Sequence, residues 1–85
     1  MKNKDLIAIL SKQDPEAEVI LEYDTLCCVY RDFTIVKVDD PNPDSNIWYN
    51  DTGIYLMCED ADMAKYLWGE RRKVPYEILH RGLDD

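Results

Sequence analysis

The chain is poor in the residues from which most small catalytic and cofactor sites are made. Its 85 residues include one histidine, three glycines and three cysteines. Gly53, Gly69 and Gly82 are too far apart to form a phosphate-cradling loop, so no nucleotide cofactor is expected. Cys27 and Cys28 are adjacent and Cys58 is distant, an odd set with no Cys-x-x-Cys spacing. That pattern is neither a disulfide framework nor a zinc site, because neighbouring residues on a strand point to opposite faces. Between Leu26 and Val29 the paired cysteines read as small apolar fillers. No apolar run approaches the roughly 20 residues that span a bilayer. The opening Met1-Lys2-Asn3-Lys4-Asp5 has no signal-peptide core behind it, so neither a membrane nor a secretory route is expected.

Basic residues are also scarce. Eighteen acids oppose ten lysines and arginines, a net charge of -8 that argues against direct nucleic-acid binding. His80 stands beside Arg81 with no nucleophile near it in the chain, and a lone histidine makes no catalytic pair. Asp39, Asp40 and Asp44 crowd one segment but lack the regular spacing and glycine of a calcium loop. No catalytic residue, metal or cofactor is therefore assigned, and the chain reads as a binding protein rather than an enzyme.

What remains is a small globular composition. Hydrophobic residues make up 46% and charged residues 33%, and 10.0 kDa fits one domain over residues 1–85. Asn3 to Gln13 carries a Leu6, Ile7, Ile9 and Leu10 stripe, with Asn3 as cap and Pro15 as stop, and predicts a helix. Glu16 to Glu22 alternates as a strand, and Asp24-Thr25 turns the chain. Leu26 to Tyr30 reads either as a short returning strand or as a bulged continuation. Phe33 to Val38 is a strand rich in β-branched residues. Asp39 to Asn46 holds two prolines and no apolar residue, the clearest loop, and Ile47 to Cys58 is a candidate hairpin. Glu59 to Lys73 opens with acids and closes with bases, as a helix dipole favours, and Met63, Tyr66 and Leu67 mark its apolar face. Tyr76 to His80 reads as an edge strand or a last helical turn, and Gly82 to Asp85 as a frayed end. The expected fold class is α+β: a small, mostly antiparallel sheet of three to five strands with N-terminal and C-terminal helices on one face. The other face is left to solvent or a partner.

The charge is segregated. Between Gln13 and Asp62 thirteen acids meet only Arg31 and Lys37, a net of -11, while the two ends together carry +3. Asp14, Glu16, Glu18, Glu22 and Asp24 are all even-numbered, so an extended chain would turn these carboxylates to one side. On a strand they would repeat every ~6.6 Å, a pitch of the same order as successive phosphates along a nucleic-acid strand. Such a row fits a basic groove, at a cost in self-repulsion. Eight residues, Tyr23, Tyr30, Trp48, Tyr49, Tyr55, Tyr66, Trp68 and Tyr76, are Tyr or Trp. Tyr66 and one of Trp48 or Tyr55 are expected in the core, and Trp68, off the helical stripe, partly exposed. Trp48 and Tyr49, near the acidic loop, are candidate interface anchors.

The run Asp5-Leu6-Ile7-Ala8-Ile9-Leu10-Ser11-Lys12-Gln13-Asp14-Pro15-Glu16-Ala17-Glu18-Val19-Ile20 resembles the opening of small phage and prophage proteins of unknown function. Those begin with a Leu-Ile-x-x-Leu helix and enter a strand through Pro-x-Ala-Glu-Val. The resemblance covers about the first quarter of the chain and carries over no active-site residue. It implies a bacterial cytoplasm, and a setting in which small acidic inhibitors of host nucleases, restriction systems and CRISPR complexes are common.

Residues and resemblance together lead to one expectation. The chain is an acidic accessory protein that binds a basic host protein, nucleic-acid-binding ones included, and inhibits or modulates it. Asp14, Glu16, Glu18, Glu22 and Asp24 supply the strand-borne charge, Asp39, Asp40 and Asp44 a loop patch, and Trp48 and Tyr49 the anchors. The alternative is a structural module whose uncovered sheet face forms a homodimer through Val36, Tyr55 and Trp48.

Overall fold

A computed structural model of the chain describes residues 1–22, 31–41 and 50–83. A four-stranded sheet forms from β1 (Val19–Glu22), β2 (Thr34–Val38), β3 (Gly53–Met57) and β4 (Tyr76–His80), in the order β1-β3-β2-β4. Helix α1 is Asn3–Leu10, and helix α2 (Ala61–Ala64) continues directly into a π-helical stretch over Lys65–Arg71. The protein is thus α+β, as its periodicities indicate.

The sheet is mixed. β2 runs antiparallel to both β3 and β4, but β1 is parallel to β3. Both edges of β3 are therefore taken by β1 and β2, and the hairpin expected over Ile47 to Cys58 does not describe its pairing. The first arm of that hairpin lies outside the described residues, as do Asp24-Thr25 and Leu26 to Tyr30. The second helix is not C-terminal either. β3 and β4 point the same way on opposite sides of β2, and parallel strands need a crossover that traverses a sheet face. The α2 segment supplies it, and Tyr76 to His80 resolves into an edge strand.

Burial shows which side of each element faces inward. Val36 and Val38 of β2 and Tyr55 and Met57 of β3 form one core cluster with Ala64 and Trp68. Ala61 is also fully buried. The face expected from Met63 and Tyr66 is instead turned outward, with Tyr66 50% exposed and Trp68 2% exposed. The physical reason is size. Two alanines at 61 and 64 let the helix approach the sheet closely, and Trp68, on the same side one turn later, fills the space beyond them. Its ring lies 4.5 Å from that of Tyr55, tilted by 52°. The indole N–H finds no hydrogen-bond partner among the described residues. The Arg72 N–H reaches five residues back to the Leu67 carbonyl at 2.9 Å, the wide-turn bonding of a π-helix. The helix stops where Lys73 adopts φ 56° before Val74-Pro75.

Helix α1 ends at Leu10, three residues before the expected Gln13, and Asn3 is not its cap. The Asp5 carboxylate instead accepts from the Lys2 N–H at 3.3 Å. No α1 residue is buried or belongs to the cluster beneath α2, so the two helices do not share that core. The ends of α1 reach opposite ends of β2. Met1 hydrogen-bonds the Arg31 carbonyl, while Gln13 lines a cleft with Lys37 and Val38.

Of the segment expected to fray, Gly82 is held, and Asp84 and Asp85 lie outside the described residues. Thr34, fully buried, donates its hydroxyl to the Glu59 carbonyl at 2.6 Å and accepts from the Gly82 N–H at 3.3 Å. One side chain thus joins β2, the start of the α2 segment and the end of β4. A Cβ on Gly82 would stand 2.1 Å from the Phe33 carbonyl oxygen, so only glycine fits there without moving backbone.

Two substitutions test this packing. Gly82→Ala should lower unfolding stability by about 2–4 kcal/mol in denaturant titration. Trp68→Ala should cost about 3–5 kcal/mol, and Trp68→Phe less than half of that, since it keeps the ring contact with Tyr55 and removes an unpaired buried N–H.

Candidate functional site

The acids do not form an even ladder. The strand expected from Glu16 begins at Val19, because Asp14-Pro15 turns the chain first. The Asp14 carboxylate accepts from the Glu16 N–H at 2.9 Å, and its carbonyl accepts from the Ala17 N–H at 3.0 Å. Aspartate before proline favours this arrangement, since its side chain caps its own turn while the ring presets the next residue. Asp14 and Glu16 are consequently off the sheet, and the regular carboxylate pitch is lost.

The turn nonetheless brings several of them together. Asp14, Glu16 and Glu18 line a cleft of about 430 Å³ with Asp39, and its walls include Gln13, Thr52 and Ile54. The cleft lies where β1 and β3 begin and β2 ends, a meeting point created by the parallel β1–β3 pairing. Among the described residues, Lys37 is the one cation in the lining. Its ammonium stands 3.7 Å from Asp39, and both side chains are largely exposed, so the pair offsets little of the local field. Asp14, Glu16 and Glu18 are exposed and have no ion pair among the described residues.

The remaining expected residues are placed otherwise. Glu22 is exposed at the far end of β1, outside the cleft. Asp40 is half-buried and structural: its carboxylate accepts from the Asp51 N–H at 3.0 Å, and its own N–H donates to the Thr52 hydroxyl at 3.0 Å. Asp24, Asp44, Trp48 and Tyr49 lie outside the described residues. Val36 and Tyr55 are buried beneath α2 and cannot hold a dimer together. Among the described residues no group of three or more histidines, cysteines or carboxylates could hold a metal ion. No helix among them is long and apolar enough to cross a membrane.

Beside the cleft, Tyr55 donates its hydroxyl to the Asp51 carbonyl at 2.8 Å, and Arg72 pairs with the Asp51 carboxylate at 3.3 Å. Burial, reinforced by the Asp51 charge, pushes the Tyr55 phenol up to about 12. It is a neutral structural donor at ordinary pH.

One polar pair escapes sequence reasoning. His80 Nε2 lies 3.0 Å from the Asp32 carboxylate, which also accepts from the Phe33 N–H at 2.9 Å. A bulge between β2 and β4 sets Ile35 opposite His80 but Val36 opposite Ile78, so Leu79 is an extra residue that re-aims His80. No spacing in the chain signals a contact 48 residues apart that depends on this bulge. Burial works against the Asp32 charge, but the Phe33 N–H and the His80 ring outweigh it and hold the carboxyl below its usual value. The pair ties Asp32, just ahead of Phe33 and β2, to the end of β4. At the same end of the sheet, Lys2, Lys4 and Arg31 line a shallow concavity with Met1, Asp5 and Phe33.

Compared with protein families, curated proteins and solved structures, the chain matches no family, no curated protein and no solved structure.

The sign of the Asp32 effect is testable. A depressed carboxyl pKa contributes stability that is complete above about pH 4 and is lost as pH falls through the lower folded value. Thermal unfolding followed from neutral to acid pH should therefore fall less steeply below about pH 4 in Asp32→Asn than in the parent chain.

Proposed function

We propose that this protein is a non-enzymatic acidic binding module that docks on a basic surface of another protein and inhibits or modulates it. The cleft carries the reading: Asp14, Glu16, Glu18 and Asp39 share one lining in which Lys37 is the one cation among the described residues. An organised group of exposed carboxylates steers a cationic partner and suppresses association with acidic ones. Nucleic-acid-binding grooves are one class of such surface, and the cleft acids would occupy the place of phosphates there without an even repeat. The resemblance of the first quarter to phage and prophage proteins points to a bacterial cytoplasm as the setting and to a host protein as the partner.

Affinity capture from bacterial lysate at low and high salt, followed by binding measurements on the captured protein, tests this. A triple variant, Glu16→Gln with Glu18→Gln and Asp39→Asn, should lose about tenfold in affinity, from roughly 0.5 kcal/mol for each exposed charge. High salt should erase the difference between variant and parent. An identical set of captured proteins for both chains, held equally at both salt concentrations, overturns the reading.

A further inference from the structure

We propose that the outer edge of β1 accepts an added strand from its partner, and that this strand alternates apolar residues with lysine or arginine. The register fixes which groups are available. The Ile54 N–H donates to the Glu18 carbonyl at 2.8 Å and the Cys58 N–H to the Glu22 carbonyl at 3.2 Å. With Val19 opposite Ile54 and Leu21 opposite Leu56, the even-numbered residues of β1 use their backbone groups toward β3. The N–H and C=O groups of Val19 and Leu21 face outward, and no strand among the described residues pairs with them.

The side chains agree with the backbone. Val19 is 54% and Leu21 63% exposed, on the sheet face opposite α2. Natural edge strands are usually protected by lysine, proline or a bulge. β4, the other edge, has Pro75 before it, Arg81 after it and a bulge at Leu79. Among the described residues β1 has no lysine, proline or bulge, and the charges at its ends, Glu18 and Glu22, are acidic. It presents four outward backbone groups and two apolar side chains, which is the arrangement that β-strand addition uses, with backbone bonds for affinity and alternate side chains for specificity.

Charge selects the occupant. Glu18 precedes β1 and Glu22 ends it, both exposed, and neither has an ion pair among the described residues. A second copy fits poorly, because the antiparallel register that stacks Val19 on the Leu21 of the other copy sets Glu18 against Glu22 twice. A cationic segment meets the same two carboxylates with opposite charge. The choice of a cationic partner rests on the acidic-module reading, whereas strand addition at this edge does not.

Two synthetic peptides of equal charge separate these elements: acetyl-Lys-Val-Lys-Val-Lys-Val-Lys-amide and acetyl-Lys-Ser-Lys-Ser-Lys-Ser-Lys-amide. Amide hydrogen exchange is followed in the isotopically labelled full chain. The Lys-Val peptide should slow exchange at Val19 and Leu21 by about tenfold or more, and the Lys-Ser peptide should do so far less. Leu21→Pro deletes an outward donor and no bond to β3, so it should abolish protection at Val19 while the thermal melt stays cooperative. Should that variant fail to fold, the exchange pattern of the parent chain decides alone. Binding without protection at Val19 and Leu21 overturns strand addition and leaves the acidic-module reading standing. Protection that persists unchanged in Glu18→Gln with Glu22→Gln, and at high salt, upholds the added strand and overturns its cationic character. No binding of the Lys-Val peptide, or concentration-dependent protection without peptide, overturns the proposal, the latter in favour of a second copy.

Discussion

The antiparallel ladder between β2 and β3 is the constraint on which the rest of this structure depends. Val36 opposite Tyr55 and Thr34 opposite Met57 supply the floor on which Ala61, Ala64 and Trp68 sit. The packing of Trp68 on Tyr55 and the buried Thr34 hydroxyl tie β2, β3, the helix and the end of β4 together, while Ile35 and Ile54 are buried outside that core cluster. Because β3 is central, its remaining edge recruits β1 in parallel. Because β2 is central, its remaining edge recruits β4, which the helix must cross the sheet to reach.

The same constraint sorts the charge. A sheet with apolar residues on both sides of its central strands has no room for unpaired carboxylates, so the acids collect where strands begin and end. The parallel β1–β3 pairing places the start of β1 beside the end of β2, and that is why residues as distant in the chain as Asp14 and Asp39 line one cleft. The cost of this crowding is self-repulsion in a chain already at -8. The proposed binding role would give that cost a return, and the outer edge of β1, which no strand among the described residues pairs with, begins next to Glu18 of the cleft.

Much of this was legible locally. The stripe at Leu6 to Leu10, the β-branched run Thr34 to Val38 and the acid-to-base polarity of the second helix each lie within a few residues and mark their elements, whereas the sequence leaves Tyr76 to His80 open between an edge strand and a last helical turn. The helix face was not legible, because large apolar residues at Met63 and Tyr66 outweigh two alanines in any reading of hydrophobicity, whereas packing rewards the small residues that permit close approach. The turn at Asp14-Pro15 contains its own signal, but the alternation of Glu16 to Glu22 extends across it and conceals where the strand begins. The Asp32–His80 pair has no local signature at all, since a one-residue bulge creates it.

By itself, then, the sequence determined the α+β class, the approximate places of α1, β2 and the second helix, and the segregation of charge toward the middle of the chain. Periodicity and composition are properties of neighbours, and neighbours are what a sequence records. Only the tertiary structure decided that β1 pairs parallel to β3, that Trp68 is core and Tyr66 surface, and which acids share a cleft. Those outcomes depend on which strand claims each edge of the β2–β3 ladder, a competition among segments far apart in the chain that is settled by the burial each arrangement achieves.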